Sequence, residues 1–316
     1  MIFQRLEAGL ACLIQSKQAS SDHTKSGTTS MMKIGRFLPG FIKDPLTRAL
    51  SAVLNCCGVD FLRYYFHRRQ GIGNAETEEG SGEKFLIEHV LPRLLDKEQP
   101  VMFDVGANVG HYSKALYSVF PKAQIVAFEP VPRTFEVLRA TLATTTVKCC
   151  SVGLSDAKGD AIIYDYDQVH GSEHASLFPG VLTGLHGAKM IKEINVSLTT
   201  LDAYCCAASI FGIDFLKIDT EGNELKVLKG SQAMIQKNAI RAIQFEFNEM
   251  NVVSRVFLKD FYDILPGYSF YRLLPHGLLP LGRYSSRNEI FVLQNILALN
   301  DAFIGNSLVA QFVSRP

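Results

Sequence analysis

Short apolar runs, each bounded by turn residues, alternate with helical patterns through the middle of this chain. The run at 101–105 follows a helical pattern over residues 85–95, and the run at 124–128 follows a second helical pattern over residues 112–120. Strands that alternate with helices of about 10 to 15 residues form βαβ units, whose parallel sheet is covered by helices on both faces. The sequence therefore predicts an α/β fold built on a mostly parallel, doubly wound sheet.

The second half of the chain continues this alternation and then becomes irregular. Pro132 is placed to begin one helix, and Thr200 is placed to cap another. Late strand-like pieces, the last of them at residues 289–293, are expected to add antiparallel strands at the edge of the sheet. Further strands are predicted over residues 147–154, 161–166, 194–198, 213–218 and 242–247, with a helical segment at 224–236.

The N-terminal part differs in composition from this core. Residues 17–30 are polar and small without periodicity, which predicts a flexible arm. A segment rich in Gly and Glu at 71–82 marks the predicted boundary. Residues 1–80 are therefore expected to form an arm with a helical extension, and residues 81–316 the main domain. The loop at 170–189 is long enough to act as a lid.

The charge balance and the cysteine pattern limit the class of protein. The 316 residues carry 32 Lys and Arg against 31 Asp and Glu, whereas a bulk nucleic-acid binder normally has a basic excess. No apolar stretch reaches the roughly 20 residues that cross a bilayer, and no secretory leader is expected at the N-terminus. The seven cysteines include three adjacent pairs and no Cys-x-x-Cys spacing, which favours reduced thiols. We therefore expect a cytoplasmic protein without a nucleic-acid partner, and the oligomeric state is left open.

One strand-turn-helix motif, Phe-Asp-Val-Gly-Ala-Asn-Val-Gly-His, is the most informative segment of the chain. A buried strand ends at Asp104, and a turn containing Gly106, Asn108 and Gly110 leads into a helix. Ligands of open α/β sheets bind at the carboxyl ends of the strands, where glycine lets the backbone approach them closely. The next strand ends at Glu129, and a carboxylate there can accept hydrogen bonds from both ribose hydroxyls. Together these residues predict a nucleoside site.

The details of the turn indicate which nucleoside it binds. A dinucleotide fingerprint reads G-x-G-x-x-G and admits a pyrophosphate at the helix N-terminus, whereas this turn reads Gly-x-Asn-x-Gly. Asp104 would repel a pyrophosphate but attract an ammonium group, such as that of S-adenosylmethionine (SAM). The chain also lacks the P-loop sequence of nucleotide hydrolases. The electrostatics therefore favour SAM over NAD.

A second cluster of polar residues follows the later strands. Asp219 and Glu221 come after the strand at 213–218, while Glu246 and Asn248 end the next strand. Methyl transfer needs an aligned nucleophile and a group that removes its proton, so Asp219 is the first candidate base and Glu221 the second. The alternative is that Asp219 only shapes the pocket and that Glu221 caps the following helix. Asp219, Glu246 and Asn248 also carry oxygen atoms of the kind that binds Mg²⁺. Three such side chains are weak evidence for a metal site, and no metal is predicted.

The segments FDVGANVGHYS, IVAFEPVPRTFEVL, VGLSDAKGD, LKIDTEGNELKVLKG and IQFEFNE resemble the FkbM-type family of SAM-dependent methyltransferases. The resemblance extends from about Phe103 to Asn248, and KIDTEGNELKVLKG is its most specific part. It implies a Rossmann-like class I methyltransferase fold, SAM as the cofactor, and O-methylation of a hydroxyl on a sugar or a natural product. The site residues that it implies are Asp104, Gly106, Asn108 and Gly110 in the cofactor loop, Glu129 at the ribose, and Ser155 with Asp156 at the adenine edge.

Two other functions stay open at this point. The first is an NAD-linked oxidoreductase, which Asp104 and the position of Asn108 disfavour. The second is a non-catalytic nucleoside-binding protein that keeps the fold. The sequence leaves the glycan or small-molecule acceptor unnamed, because variable loops form substrate pockets in this architecture.

Overall fold

An eight-stranded sheet and a three-stranded sheet form the framework of the computed structural model, which describes residues 62–74, 78–166, 176–180, 184 and 191–314. The strands are β1 (Val101–Val105), β2 (Gln124–Phe128), β3 (Lys148–Cys150), β4 (Gly153–Leu154), β5 (Gly159–Tyr166), β6 (Ile191–Thr199), β7 (Ile213–Ile218), β8 (Ile240–Phe247), β9 (Tyr268–Leu274), β10 (Gly277–Pro280) and β11 (Gln294–Asn300).

The large sheet has the strand order β10-β9-β11-β8-β7-β1-β2-β3. Parallel pairing runs from β3 through β2, β1 and β7 to β8. β11 pairs antiparallel with β8 and β9, and β10 completes that edge. The predicted parallel sheet with antiparallel C-terminal strands is therefore confirmed. The strand order reverses direction between β1 and β7, and such a reversal leaves a crevice at the carboxyl ends of the two strands.

Helices precede, connect and follow these strands. A π-helical turn, Leu86–Val90, joins α3 to α4. No helix of the described part of the chain is long and apolar enough to cross a membrane. The helices are α1 (62–69), α2 (Glu78–Ser81), α3 (Glu83–Phe85), α4 (Leu91–Leu95), α5 (His111–Val119), α6 (Pro132–Thr141), α7 (Leu201–Ala208), α8 (Glu224–Lys229), α9 (Gln232–Gln236), α10 (Met250–Ser254), α11 (Leu258–Ile264) and α12 (Asn306–Ala310).

Alternate residues of the central strands pack on opposite faces of the sheet. Phe103 and Leu216 belong to a core cluster that also includes residues of α7, α8 and α11. Met102 and Phe215 belong to a second cluster with residues of the π turn, α4 and α5. Both faces of β1 and β7 are thus buried, which holds their carboxyl ends in place.

Two predicted helix starts are confirmed by the structure. Pro132 is the first residue of α6, where its fixed φ and missing N–H suit a first helical turn. The Thr200 side chain accepts a hydrogen bond from the Ala203 N–H at 3.1 Å and so caps α7.

Two predicted strands differ from the structure. Residues 147–154 form two short strands, because β3 joins the large sheet whereas β4 pairs with β6 in the small sheet. Residues 289–293 are not a strand. The N–H groups of Glu289 and Ile290 donate to nearby carbonyls in a local turn, and the Glu289 carboxylate accepts the N–H groups that begin α11. Pairing with β8 begins only at Gln294.

The described part of the N-terminal extension packs against β9. Arg272 Nη1 donates to the Gln70 carbonyl at 3.2 Å, and Ile72 is buried. The predicted arm at 17–30 lies outside the described residues, as does most of the predicted lid at 170–189.

Candidate functional site

A cavity of about 760 Å³ lies at the carboxyl ends of β1, β2 and β7. The turn after β1, the segment after β7, the end of β8, and residues of α3 and α5 all contribute to its wall. The predicted site residues that line it are Gly106, Asn108, Glu129, Asp219, Glu221 and Glu246. Those that do not line it are Asp104, Gly110, Ser155, Asp156 and Asn248.

The turn after β1 is held in a conformation that requires glycine at Gly106. Its φ is +82°, and a Cβ atom there would lie 1.7 Å from the Asp219 carbonyl oxygen. The turn therefore brings the tips of β1 and β7 into direct backbone contact. Asn108 has a φ of +47°, and its Oδ1 atom is buried without a hydrogen-bond partner in the described part of the chain. This oxygen is available to accept a hydrogen bond from a ligand.

Glu129 follows β2, and its side chain is hydrogen-bonded to the turn after β1. Its Oε1 accepts from the Val131 N–H at 2.8 Å, and its Oε2 accepts from the Asn108 N–H at 3.1 Å. Burial raises the pKa of Glu129 to about 7, although both of these hydrogen bonds lower it. The carboxylate is thus fixed in position by the backbone and lines the cavity.

Asp104 and Gly110 support the turn from behind the cavity. The Asp104 side chain is fully buried, and its Oδ2 accepts from the Ser113 hydroxyl at 2.6 Å. Gly110 has a φ of +90°, and a Cβ atom there would lie 2.7 Å from Leu138 Cδ1. The structure therefore ties Asp104 to α5 and lets α5 begin close against α6.

The segment after β4 contributes to the cavity with residues other than those predicted. Gly153 and Leu154 line it. Ser155 is buried instead beside Asn223, with 3.3 Å between Ser155 Oγ and Asn223 Oδ1. Asp156 is exposed and accepts from the Ser155 hydroxyl. The predicted adenine-edge pair thus lies just beyond the cavity wall.

The segment after β7 brings two carboxylates into the cavity. Asp219 Oδ2 lies 3.0 Å from Lys217 Nζ. Glu221 adopts a left-handed φ of +52° and also lines the cavity. Glu224 Oε1 accepts from the Thr220 and Gly222 N–H groups and so holds the loop that precedes the following helix. The N-cap residue of that helix, Asn223, makes no side-chain capping hydrogen bond.

The end of β8 places Glu246 in the cavity and turns Asn248 away from it. Asn248 Nδ2 donates to Glu246 Oε2 at 3.2 Å, and its Oδ1 accepts from the Met250 N–H. Asn248 thus fixes the local loop and the Glu246 carboxylate. In the part of the chain that the structure describes, no three His, Cys, Asp or Glu side chains are grouped to hold a metal ion. We assign no metal ligands to this site.

Lys217 and Glu83 are charged residues of the cavity lining that the sequence analysis did not single out. Lys217 lies inside the six-residue strand β7, all of which is buried, and Glu83 begins α3, ahead of the turn motif. Lys217 had a recognisable signal, because a lysine in a buried apolar strand needs a charged partner. Glu83 had none, since it reaches the cavity only through the packing of α3 beside β8.

Three relatives are similar to the chain over part of their length. It is 25% identical over 200 residues to the 2-O-methyltransferase NoeI of Sinorhizobium fredii, covering 61% of this chain and 82% of NoeI. It is 28% identical over 172 residues to the hexuronic acid methyltransferase AglP of Haloferax volcanii, covering 54% of this chain and 63% of AglP. It is 28% identical over 152 residues to the 31-O-demethyl-FK506 methyltransferase FkbM of Streptomyces tacrolimicus, covering 41% of this chain and 58% of that protein.

Two solved structures show a more distant similarity. The precorrin-6y C5,15-methyltransferase of Geobacter metallireducens aligns with a TM-score of 0.35 at 12% identity, over 73% of this chain and 95% of that chain. The plantazolicin methyltransferase BpumL in complex with SAH aligns with a TM-score of 0.36 at 10% identity, over 82% and 92%.

The sequence profile of the methyltransferase FkbM domain matches residues 104–267, more than half of the chain. The match begins at the turn motif and includes every strand from β2 to β8. Its range contains the segments on which the resemblance was based. The chain therefore belongs to the FkbM family of SAM-dependent methyltransferases.

Proposed function

We propose that this protein transfers the methyl group of SAM to a hydroxyl group of a carbohydrate or another small hydroxylated molecule. One observation carries the proposal: the Glu129 carboxylate and the Gly106 turn line the same cavity as the Asp219 and Glu221 carboxylates. The cavity thus offers a nucleoside-binding end and an acid/base end in one space. The names of the relatives NoeI, AglP and FkbM support an oxygen acceptor on a sugar or a natural product.

The residues at the nucleoside end fit the donor. Glu129 would accept hydrogen bonds from the ribose hydroxyls, and the buried Asn108 Oδ1 would accept a further one. The wall formed by Gly153 and Leu154 suits the flat adenine ring, with Ser155 and Asp156 supporting it from outside. Asp104 would act on the ammonium end through the field of its charge rather than by contact. When bound, SAM supplies a methyl group already activated by its sulfonium.

The carboxylates at the other end supply the proton acceptor. The acceptor oxygen would form a bond to the methyl carbon as the carbon–sulfur bond breaks with its electron pair moving to sulfur. The hydroxyl proton would pass to the Asp219 carboxylate, with Glu221 as the second candidate. A base positioned in this way contributes about 10²- to 10⁴-fold to the rate.

The charge of the cavity argues against an NAD-linked oxidoreductase. A dinucleotide brings a doubly charged pyrophosphate, and the cavity lining offers few cations to balance it. Among the described residues of the lining, six acidic side chains outnumber two lysines. The acids are Glu83, Glu88, Glu129, Asp219, Glu221 and Glu246, and the lysines are Lys84 and Lys217.

Calorimetric titration tests the proposed function. We expect S-adenosylhomocysteine (SAH) to bind and NAD to give no heat of binding. Glu129→Ala should weaken SAH binding, because each lost charge-assisted hydrogen bond contributes about 1.5 to 3 kcal/mol, or roughly 10- to 150-fold in affinity. Glu136→Ala is the matched control, because Glu136 is an exposed carboxylate on the following helix. Binding of NAD in place of SAH, or unchanged SAH affinity in Glu129→Ala, would contradict the assignment.

The raised pKa of Glu129 predicts a pH dependence of SAH binding. The ionised carboxylate accepts stronger hydrogen bonds than the neutral form, so binding favours ionisation. With a pKa of about 7 in the free protein, affinity is highest above pH 7 and falls as the pH drops through this value. We expect the Kd for SAH to rise about 3- to 10-fold between pH 8 and pH 6. Glu129→Gln removes the titrating group, so an equally steep pH dependence in this variant would refute the prediction.

Comparison of cells with and without the protein identifies the acceptor. Mass spectrometry of their glycans and small metabolites should reveal a methyl group that depends on the protein. SAM turnover on that acceptor would exclude the non-catalytic alternative. An active protein that forms no O-methyl product would overturn the proposed oxygen acceptor.

A further inference from the structure

A row of polar side chains crosses three neighbouring strands beneath the cavity. Asp104 on β1 lies opposite Lys217 on β7, and Lys217 lies opposite Gln244 on β8. All three side chains are buried. They share the face of the sheet that α5 covers, because Ser113 and Tyr112 of α5 bond to Asp104 and Gln244 respectively. Burying such groups is costly unless each has a partner.

Lys217 is the cation in this row, and its ammonium group points toward the cavity. Its Nζ lies 3.0 Å from Asp219 Oδ2 and 4.3 Å from the centre of the Tyr112 ring. The Lys217 side chain is 7% exposed, whereas that of Asp219 is 26% exposed. The ion pair therefore joins a buried ammonium to a carboxylate whose outer part faces the cavity.

More carboxyl groups face Lys217 than its single charge can balance. Among the described residues, the titratable groups that act on it from the surrounding elements are Glu83 of α3, Asp104 of β1, Tyr112 of α5, Asp219 after β7, and Glu246 of β8. Among the largest influences on the pKa of Glu83, Asp104 and Glu246, the cation is Lys217 in each case. Such a cluster holds together at neutral pH when some carboxyl groups keep their protons.

The pKa directions agree with this distribution of charge. Burial raises the pKa of Glu83, Asp104 and Glu246, and Lys217 lowers each of them. Burial lowers the pKa of Lys217 itself, but the neighbouring acids raise it well above its usual value. The ammonium therefore stays charged, and the carboxyl oxygen paired with it is Asp219 Oδ2, at 3.0 Å.

We propose that Lys217 is a positioning residue for methyl transfer, whose ammonium group holds the Asp219 carboxylate directed into the cavity. The proposal rests on the proposed function, in which Asp219 takes the proton of the acceptor hydroxyl. Without the ammonium, the Asp219 carboxylate loses the 3.0 Å ion pair that fixes its direction. Lys217 thus acts through Asp219 and is assigned no contact with the acceptor.

The test uses the full-length protein and measures Tm without ligand, in Lys217→Met and in the double variant Lys217→Met/Asp219→Asn. In Lys217→Met the unbalanced carboxyl groups bind protons in the folded state that they release on unfolding, so stability falls as the pH rises. We expect the loss of Tm relative to the wild type to be about twice as large at pH 8 as at pH 6. The double variant should recover roughly half of the loss at pH 8, because removing one charge of each sign restores the net charge that the cluster has in the wild type. Lys217→Arg keeps the charge, so its Tm should fall much less than that of Lys217→Met.

Different outcomes distinguish charge from packing. If Lys217 only fills space, the loss of Tm will be equal at both pH values and the double variant will be no more stable than Lys217→Met, which would overturn the proposal. If Lys217→Met does not fold, the double variant decides: a folded double variant supports the proposal, and an unfolded one overturns it. The single-turnover rate of SAH formation completes the test, because a merely structural lysine would leave the rate of the folded protein unchanged. Lys217→Met should react about 10-fold or more slowly with little change in SAH affinity, and an unchanged rate would overturn the proposal. SAH titration of the wild type reports separately on the proposed function.

Discussion

Asp219→Asn is expected to lower the rate of methyl transfer by about 10²- to 10⁴-fold, the range that a positioned base contributes. Asparagine keeps the shape of the side chain but accepts no proton from the acceptor hydroxyl. The affinity for SAH should change by less than about 3-fold, because Asp219 makes none of the hydrogen bonds assigned to the ribose. Single-turnover measurement of SAH formation with the identified acceptor, beside SAH calorimetry, separates the two effects.

Glu221→Gln is the informative comparison for this experiment. Glu221 lines the same cavity, so a larger loss of rate in Glu221→Gln than in Asp219→Asn would assign the base to Glu221 instead. Asp160→Asn is the control, since Asp160 is exposed on β5. A full rate in Asp219→Asn would remove Asp219 from the mechanism.

Gly106→Ala is expected to destabilise the fold by roughly 3 kcal/mol and to abolish detectable SAH binding. The added methyl would meet the Asp219 carbonyl oxygen at 1.7 Å, and the φ of +82° disfavours any side chain. Either β1 and β7 must separate at their tips or the turn must unwind. Both responses displace Asn108 and Asp219, which line the cavity on either side.

Gly159→Ala is the matched control for this substitution. Gly159 lies in β5, and nothing lies within 4 Å of a Cβ atom placed there. Its stability should therefore stay within about 0.5 kcal/mol of the wild type in urea unfolding. Equal stability of the two variants would mean that the close approach of β1 and β7 is not required for folding.

Local features of the sequence were sufficient to predict most of the fold. Apolar runs and helical periodicity act over a few residues, so β1, β2, β7 and β8 were identified close to their observed positions. The strand β11 was misplaced because its first residues, Gln294 and Asn295, are polar. They are buried through hydrogen bonds with Arg272 and Gln244, on other strands. A pattern of hydrophobicity contains no information about such partners.

The predicted site residues also fall into two groups, those whose geometry is local and those whose position depends on the rest of the fold. The glycine turn and Glu129 were identified because a strand, a turn and a helix in sequence determine their own geometry, and both now line the cavity. Ser155 and Asp156 were predicted at the adenine edge, and the residues of this segment that line the cavity wall are Gly153 and Leu154, directly before them. A shift of one or two residues in a strand changes which side chain faces a ligand.

The amino-acid sequence by itself determined that this chain forms a parallel α/β sheet, that a glycine turn predicted to bind a nucleoside follows its first strand, and that the chain resembles the FkbM-type methyltransferases. Only the tertiary structure decided that Lys217 and Glu83 join Asp219 and Glu246 in one cavity, and that Asp104 lies behind the wall. Local conformation depends on neighbours along the chain, whereas the charge balance of a buried cluster depends on which side chains distant in sequence are brought within a few ångströms.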